Sequence, residues 1–381
     1  MKLLVIGLDS RLALTGAPSN ESQERQLVYA GKMDKMTIVC KTPNATEYAK
    51  RELSARLTVY PTRSSNRWTF LKDAYWLGKK LLRQGEYDLI STQDPFYSGL
   101  VGYLLARSFK IPLNLQLHSD FVDNPYWISE SWSNYWLNIL GKYLIKRAAS
   151  VRVVNQSVRQ ELIERGLAAE RIFVCPIGTV TENFCDASGS QVRQLYLNED
   201  YDYLVLSVGR LVPAKDYPTL LQTARLVKAV NPKVRFLILG EGRERERLRR
   251  LIGAMGLEQQ VILAGAIDFE ELPQYYAACD VFLLTSIFEG LSRVLVEAAA
   301  AAKPLVATAV AAAEEFIEPE ENGIIAPIGD FEQLAQGLLR LLEQPLLRET
   351  MGAKARLKAK EYHFEKTAAR LVAGWRGTRP G

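Results

Sequence analysis

The sequence predicts an α/β protein with two domains, each a doubly wound parallel sheet. Short apolar runs typical of buried strands alternate with helical patterns over residues 1–176, and the alternation restarts at residue 203. The chain has 381 residues, 48% of them hydrophobic, which is enough for two separate cores. Residues 178–202 lack periodicity and contain Gly and Ser, so we place an interdomain linker at 181–202.

The first domain is predicted to span residues 1–180. Its apolar runs are four to six residues long, as in buried strands, and its helix 66–83 carries apolar residues at helical spacing. The predicted strands are 1–6, 37–40, 57–60, 88–92, 113–117, 150–155 and 172–176, and the predicted helices are 22–31, 66–83, 98–108, an aromatic-rich helix between 125 and 152, and 157–165.

The second domain is predicted to span residues 203–362, with residues 363–381 crossing back to the first domain. Several of its strands end in Gly, and each is followed by a helical pattern, as expected of βαβ units. The predicted strands are 203–209, 235–239, 260–264, 281–284, 305–307 and 323–325, and the predicted helices are 218–230, 243–252, 269–278, 294–302, 331–343 and 346–362.

Composition excludes several classes of protein. Residues 1–7 form an apolar run too short for a signal peptide, and no run approaches the roughly 18 apolar residues of a membrane-spanning helix. The four cysteines are scattered without metal-ligand spacing, so we expect neither a zinc site nor a disulfide framework, and a reducing cytosol fits. We therefore expect a cytoplasmic protein that is soluble or peripheral to the membrane.

Positive charge is concentrated in the first half of the chain. Residues 1–180 hold 24 Lys and Arg against 16 Asp and Glu, whereas residues 181–381 hold 24 against 27. This bias is too diffuse to indicate nucleic acid, but it is compatible with an anionic membrane surface, an anionic acceptor or ordinary surface charge.

The aromatic-rich helix has two interpretations. Its aromatic residues form either a core stripe, which is the usual explanation, or a Trp/Tyr and Lys/Arg surface that contacts the inner face of a membrane, where a lipid-linked acceptor would be found. The residues in question are Trp132, Tyr135, Trp136, Ile139, Tyr143 and Leu144, with Lys142, Lys146 and Arg147 beside them.

The strongest candidate site lies at residues 285–297, where a strand runs into a helix. The first turn of a helix carries unpaired N–H groups and partial positive charge, so it suits a phosphate, and Gly290 allows close approach to the backbone. Glu289 and Glu297 cannot bind an anion, but they can accept hydrogen bonds from the vicinal hydroxyls of a sugar and a ribose. Compensation of the helix dipole is the alternative explanation for these carboxylates. We assign the turn Gly290, Leu291 and Ser292 to the phosphate.

Other polar residues follow strands of the second sheet and should therefore line the same edge of it. Arg210 and Lys215, five residues apart, supply two positive charges for a phosphate, although Lys215 could instead pair with Asp216. Gly240 and Gly265 each follow a strand, but without GxGxxG the glycines do not indicate a dinucleotide cofactor. Two cations with a helix N-terminus for a diphosphate, and two carboxylates for hydroxyls, fit a nucleotide-sugar.

In the first domain, His118 follows the strand 113–117. It therefore lies at the carboxyl edge of a parallel sheet, where open α/β sheets bind ligands. A structural histidine and a catalytic one are about equally compatible with this position.

Together these motifs resemble the retaining GT-B glycosyltransferases of glycosyltransferase family 4 (group 1). The resemblance covers nearly the whole chain, most strongly residues 203–330, and it implies two Rossmann-like domains that face a central cleft. It rests on Gly209-Arg210-Leu211 with Lys215-Asp216, on Gly240-Glu241-Gly242, on Glu289 and Glu297 with seven residues between them, and on Asn322-Gly323.

The resemblance also implies roles for individual residues. Arg210 and Lys215 would hold the donor diphosphate, Glu297 the ribose hydroxyls and Glu289 the sugar hydroxyls near the reacting carbon. The backbone from Gly265 to Ile267, with Gly240 on the same edge, would contact the nucleotide, and His118 would contact the donor sugar from the acceptor side. These roles imply hexose transfer with retention and without a metal or cofactor, from a nucleotide-diphosphate sugar to a glycan or lipid-linked acceptor of cell-surface polysaccharide.

Several positions depart from the family pattern. Ser292 and Ala302 stand where the family usually has Gly, Ala311-Ala312 replaces Gly-Gly, and the loop at Thr15-Gly16-Ala17 lacks paired glycines. These substitutions would narrow or stiffen the sugar pocket, which leaves the donor sugar open. A GT-B epimerase or phosphorylase, and a non-catalytic nucleotide-sugar-binding subunit, are the alternative functions.

Overall fold

The computed structural model describes residues 1–15, 21–290 and 292–378, whose contacts divide into two compact units. Unit 1 joins Met1–Gly178 with the segment that begins at Phe364, and unit 2 spans Thr179–His363. Each unit holds one sheet with helices on both of its faces. The prediction of two doubly wound, parallel-sheet α/β domains is confirmed.

Unit 1 has an eight-stranded sheet in the order β3-β4-β2-β1-β5-β6-β7-β8. All neighbours pair in parallel except β3 and β4, which form an antiparallel hairpin. The elements are β1 (Lys2–Gly7), α1 (Glu21–Gly31), β2 (Lys35–Cys40), β3 (Arg51–Ser54), β4 (Leu57–Pro61), α2 (Arg67–Gln84), β5 (Leu89–Thr92), α3 (Tyr97–Phe109), β6 (Leu113–Gln116), α4 (Pro125–Ser129), α5 (Trp132–Ile145), β7 (Ser150–Val153), α6 (Gln156–Glu164) and β8 (Ile172–Val174).

Alternation along β1 shows how both faces of this sheet are buried. Leu4 and Ile6 pack with apolar residues of α2, α3 and α5, whereas Leu3 and Val5 pack on the other face with α1 and the carboxyl-terminal helix. Successive side chains of a strand point to opposite faces, so an uninterrupted apolar run needs helices on both sides.

Unit 2 has a six-stranded, fully parallel sheet in the order β11-β10-β9-β12-β13-β14. Its elements are α7 (Glu182–Cys185), α8 (Ser190–Tyr196), β9 (Tyr203–Val208), α9 (Tyr217–Val230), β10 (Val234–Leu239), α10 (Arg245–Ala254), β11 (Val261–Gly265), α11 (Leu272–Ala278), β12 (Val281–Leu284), α12 (Arg293–Ala300), β13 (Leu305–Thr308), α13 (Ala311–Phe316), β14 (Gly323–Ala326), α14 (Phe331–Glu343) and α15 (Pro345–Ala359). The chain then enters α16 (Phe364–Arg376), which packs in unit 1.

The structure differs from the predicted elements in four places. Residues 181–202, predicted as a linker, contain α7 and α8, because Phe184 and Val192 are apolar anchors that pack into the core of unit 2. Strand β3 and helix α13 have no counterpart in the predicted elements. The aromatic-rich helix is two helices, because Asn124 caps α4 and Ser131 caps α5 with side-chain hydrogen bonds to the backbone.

No helix in the described ranges is both long and apolar enough to cross a membrane.

Phe184 is 1% exposed, so its packing in the core should contribute strongly to the free energy of unfolding of unit 2. We expect Phe184→Ala to lower the free energy of unfolding by about 3–5 kcal/mol, since a large cavity replaces the ring. Urea unfolding monitored by fluorescence would measure the change. Leu195→Ala, at a position on α8 that is 70% exposed, is the matched control and should be almost neutral. Equal, small effects would contradict the placement of α7 in the core.

Candidate functional site

The loops that follow β9, β10, β11 and β12 form one edge of the unit 2 sheet and are tied together by backbone hydrogen bonds. The Gly240 N–H donates to the Gly265 carbonyl (2.7 Å), and the Leu211 N–H donates to the Glu241 carbonyl (2.9 Å). The Ile287 N–H donates to the Ala214 carbonyl (2.9 Å), which joins the loop after β12 to the loop after β9. Four loops that are distant in sequence therefore form one continuous edge.

Gly240 is required by this arrangement. Its φ is +141°, and a Cβ there would lie 1.9 Å from the Gly209 carbonyl oxygen. Gly242 is also crowded, because a Cβ would lie 2.3 Å from the Leu211 carbonyl oxygen. The GxG sequence, a weak signal in itself, thus permits close contact between two loops.

Lys215 and Glu289, both predicted site residues, form an ion pair across this edge. Lys215 ends a short 3-10 helix after β9, and the Thr285 hydroxyl donates to its carbonyl oxygen (3.0 Å). Glu289 also accepts from the Ser286 hydroxyl (3.2 Å). Asp216 accepts from Thr219 instead (2.6 Å), so the alternative that Lys215 pairs locally with Asp216 is wrong.

Tyr217 supports the same loops from beneath. Burial and the nearby negative charge of Glu289 raise the pKa of Tyr217. The phenol therefore stays protonated, and its hydroxyl donates to the Gly209 carbonyl (3.0 Å).

Arg210 lies exposed on the loop after β9 and makes no side-chain hydrogen bond or ion pair with any described residue. The structure brings Lys215 and Glu289 together, but no contact joins Arg210 to them. Its predicted role at the diphosphate stays a prediction.

Glu297 lies in the middle of α12 and is 4% exposed. The Tyr276 hydroxyl donates to its Oε2 (2.8 Å), and Arg293 contacts its Oε1 (3.4 Å) one turn away on the same helix. Burial and the Glu297 carboxylate raise the pKa of Tyr276, which keeps this hydroxyl a donor. The predicted contact of Glu297 with ribose hydroxyls stays a prediction.

The start of α12 has no side-chain cap. Ser292 occupies the N-cap position, but its hydroxyl makes no capping bond, and its buried Oγ has no hydrogen-bond partner among the described residues. Gly290 is buried, and Leu291 lies outside the described residues. Gly265 has a φ of +87°, and the side chain of Ile267 is partly buried against the unit 2 core. The predicted contact of the backbone at Gly265 to Ile267 with a base stays a prediction.

In unit 1, His118 follows β6 beside a cavity of about 240 Å³. Burial, with repulsion from Arg152 and Arg25, lowers the pKa of His118 to about 3, so the ring is neutral near pH 7. Its Nδ1 atom is buried without a hydrogen-bond partner in the described structure. Asp9, Gln26, Gln93, Gln116, Tyr29 and Trp375 are among the other residues that line the cavity.

Arg152, beneath this cavity, is 2% exposed. It donates to Gln116 Oε1 (2.6 Å) and to the carbonyl oxygens of Cys175 and Pro176 (both 2.9 Å). In the part of the chain that the structure describes, none of its bonds goes to a carboxylate. The guanidinium therefore fixes the end of β8 and keeps its charge beside His118.

Sequence reasoning missed the residues that support the predicted ones. Tyr276 and Ser286 could not be identified, because a Tyr in a helix and a Ser after a strand are ordinary. Arg152 and Gln116 could have been found, because each is a polar residue inside an otherwise apolar strand, where it must find partners.

Two family models match the chain, one over each half. Glycosyltransferase Family 4 matches residues 28–183, and Glycosyl transferases group 1 matches residues 191–358. The chain belongs to the group 1 glycosyltransferases. This glycosyltransferase is 28% identical, over 72% of each chain, to alpha-D-kanosaminyltransferase of Streptomyces kanamyceticus.

A second relative of the glycosyltransferase matches over a shorter range. It is the N-acetylgalactosamine-N,N'-diacetylbacillosaminyl-diphospho-undecaprenol 4-alpha-N-acetylgalactosaminyltransferase of Campylobacter jejuni, which is 34% identical over 44% of this chain and 45% of its own.

Solved structures share the fold of the glycosyltransferase. Sucrose-phosphate synthase from Thermosynechococcus elongatus has a TM-score of 0.81 at 23% identity, over 99% of this chain and 98% of its own. Anabaena HepE in complex with UDP has a TM-score of 0.77 at 22% identity, over 99% of this chain and all of its own. The fold is GT-B, as the resemblance implied.

The neutral state of His118 predicts a pH effect on stability. The pKa of His118 lies near 3 in the folded chain and near the ordinary 6.5 in the unfolded chain, so the unfolded state binds the proton first. This histidine should therefore lower the free energy of unfolding by about 1.4 kcal/mol for each pH unit below the unfolded pKa.

Urea unfolding of wild type and His118→Asn at neutral and mildly acidic pH would measure that contribution. We expect a shallower pH dependence for the variant. Equal slopes for wild type and His118→Asn would contradict the buried neutral ring.

Proposed function

We propose that this glycosyltransferase moves a hexose from a nucleotide-diphosphate sugar to a glycan or lipid-linked acceptor of cell-surface polysaccharide, with retention and without a metal. The observation that carries the proposal is the Lys215–Glu289 ion pair on the loops after β9 and β12. Both side chains are about one-sixth exposed, so each charge is held near the surface of the edge and neutralised by the other.

A donor would rearrange this pair. Its diphosphate is a second anion that competes for the Lys215 ammonium, and Glu289, partly released, would accept hydrogen bonds from sugar hydroxyls. Arg210 is exposed on the same loop as Lys215 and would add a second cation. Fixed cations stabilise the departing nucleoside diphosphate most where its charge grows, in the transition state.

The uncapped start of α12 is a suitable place for a phosphate of the donor. The dipole of the helix and the N–H groups of its first turn favour an anion there, and the buried Ser292 hydroxyl adds a donor that has no partner among the described residues. Glycine at this position, as in the family pattern, could not make that bond.

Retention would follow from attack by the acceptor hydroxyl on the leaving-group face, with its proton passing to a phosphate oxygen. In this mechanism no carboxylate base is needed. His118 would act as a neutral hydrogen-bonding group toward the sugar, because burial disfavours its cationic form.

Relatives support the substrate classes. The name of the Campylobacter jejuni relative specifies a diphospho-undecaprenol acceptor, and HepE structures contain UDP and UDP-glucose. We infer a UDP-sugar as the first donor to test and a lipid-linked acceptor that is reached from the cytoplasmic side of the membrane.

Glu289→Gln should separate chemistry from nucleotide binding. The amide no longer neutralises Lys215 and accepts hydroxyls more weakly, so we expect transfer to fall by about 10²–10³-fold while UDP affinity is kept or increased. Transfer would be measured as acceptor-dependent UDP release from UDP-glucose or another active UDP-sugar, and UDP affinity by calorimetry.

Glu241→Gln is the matched control, because Glu241 lies on the neighbouring loop and, among the described residues, forms a local ion pair with Arg245. It should change transfer little. Full transfer by Glu289→Gln, or loss of UDP binding by a folded variant, would contradict the proposed role.

Retention and metal independence need a separate test. In the described ranges, no three His, Cys, Asp or Glu side chains gather where they could hold a metal ion. We expect full transfer after removal of metals with EDTA, and a product with the anomeric configuration of the donor by NMR. Inversion, or loss of activity that Mg²⁺ or Mn²⁺ restores, would refute the proposed mechanism. An epimerised donor or a sugar phosphate would identify an epimerase or a phosphorylase.

A further inference from the structure

Four of the six tryptophans are exposed on two helices of unit 1. Trp68 and Trp76 on α2 are 75% and 56% exposed, and Trp132 and Trp136 on α5 are 79% and 58% exposed. Exposed Trp is unusual in a soluble domain, and a group of large apolar side chains at the surface marks an interaction site. The core interpretation of the aromatic stripe is therefore wrong for Trp132, Tyr135, Trp136, Ile139 and Tyr143, all of which are exposed.

Helix α5 has two opposite stripes, which explains the error. Asn138, Gly141, Leu144 and Ile145 face the unit 1 core. The exposed residues recur at spacings of three, four and seven along the other side, so they form an outward stripe. Both stripes are largely apolar, and helical periodicity does not distinguish the one that faces the core.

Helix α3 joins α2 and α5 into one face. It packs against both helices, and its own Leu104 is exposed. Edge-to-face ring pairs join the neighbouring helices. Trp68 of α2 lies against Tyr97 of α3, with ring centroids 6.5 Å apart, and Tyr103 of α3 lies against Tyr143 of α5, with centroids 6.1 Å apart. We call the exposed side of α2, α3 and α5 the aromatic face.

Charge on this face is almost entirely positive. Its three helices contain seven basic residues and one acidic residue, Asp73, which accepts a hydrogen bond from Ser64 (2.8 Å). Lys79 lies over the Trp76 ring (4.8 Å) and Arg147 over the Tyr143 ring (3.5 Å), so cations and rings are interleaved. The seven basic residues are Arg67, Lys72, Lys79, Lys80, Arg83, Arg107 and Lys142. Of these, Lys142 forms an ion pair with Asp123, just before α4 (2.7 Å).

A basic groove of about 1,140 Å³ lies where α3 and α5 end. Its charged lining consists of five basic residues, Arg107, Lys110, Lys146, Arg147 and Arg171, and one acidic residue, Glu170. Part of this charge compensates the two helix C-termini. Lys110 and Lys146 are exposed, and within the described chain their side chains make no ion pair or hydrogen bond. They are available for an anion.

We propose that the aromatic face and the basic groove form a docking surface for a bilayer that contains anionic phospholipid. Trp and Tyr rings prefer the bilayer interface, where one part of the ring is apolar and the other hydrated, and nearby Lys and Arg attract headgroup phosphates. Helices α3 and α5 end at the groove, beside the starts of β6 and β7, while α5 begins on the side where β6 ends, before His118. The surface therefore extends toward the ligand edge of unit 1, where a lipid-linked acceptor would be presented.

The test is sedimentation of the full chain with vesicles. We expect binding to phosphatidylcholine vesicles that contain phosphatidylglycerol, weakened by salt, and little binding to phosphatidylcholine alone. Trp132→Ser with Trp136→Ser should reduce binding at least tenfold, as should Lys110→Glu with Lys146→Glu. All four positions are exposed, so the variants should stay folded and keep the wild-type UDP affinity. The lysine pair should melt at a slightly lower temperature, because Lys110 and Lys146 cap the C-termini of α3 and α5.

Matched controls come from exposed positions of unit 2. Leu346→Ser with Leu357→Ser removes exposed apolar residues, and Arg225→Glu with Lys360→Glu reverses exposed charges; both pairs should bind vesicles like wild type. Equal sedimentation with both lipid mixtures, or wild-type binding by the Trp variant, would overturn the proposal. So would a lipid-free dimer that the Trp variant dissociates, which would assign the face to a second copy. The proposal is independent of the donor chemistry, because vesicle binding and UDP affinity are measured in separate experiments.

Discussion

The parallel pairing of β9 with β10 and β12 is the constraint on which the candidate donor site depends. Parallel neighbours end at the same edge of a sheet, so the loops after these strands meet although they are separated by 30 to 80 residues. The meeting is close enough that only glycine fits at Gly240, against the Gly209 carbonyl. A side chain there would push the loop after β10 away from the loop after β9, which carries both Arg210 and Lys215.

Opposite charges on that edge stabilise each other. A partly buried carboxylate is costly without a partner, and Lys215 supplies one for Glu289 while Tyr276 and Arg293 supply partners for Glu297. The polar groups proposed to hold a donor are thus compatible with a folded, empty protein. The Lys215–Glu289 pair is also the part of the edge that an incoming diphosphate would disturb first.

In unit 1, a buried charge is stabilised by neutral hydrogen-bond acceptors rather than by an opposite charge. Arg152 is buried on neutral oxygens, where it fixes the backbone at the end of β8. Burial, with the added repulsion of Arg152 and Arg25, lowers the pKa of His118 and keeps its ring neutral. The outer helices carry more apolar residues than the core of unit 1 can bury, so Trp132 and Trp136 remain at the surface. One unit therefore presents a polar ligand edge and an apolar, basic outer face.

The α/β class, nearly all strands and the positions of the strand ends were predictable from the amino-acid sequence, because buried parallel strands leave uninterrupted apolar runs and their ends carry Gly and polar residues. The sequence also indicated Lys215 and Glu289, since a cation and a carboxylate after neighbouring strands must share an edge. The folded chain was needed to show that these two residues pair, that Tyr276 donates to Glu297, that α7 belongs to the core rather than to a linker, and which stripe of α5 faces outward. Each of these outcomes depends on contacts between residues far apart in the chain, and local periodicity and propensity do not specify such contacts.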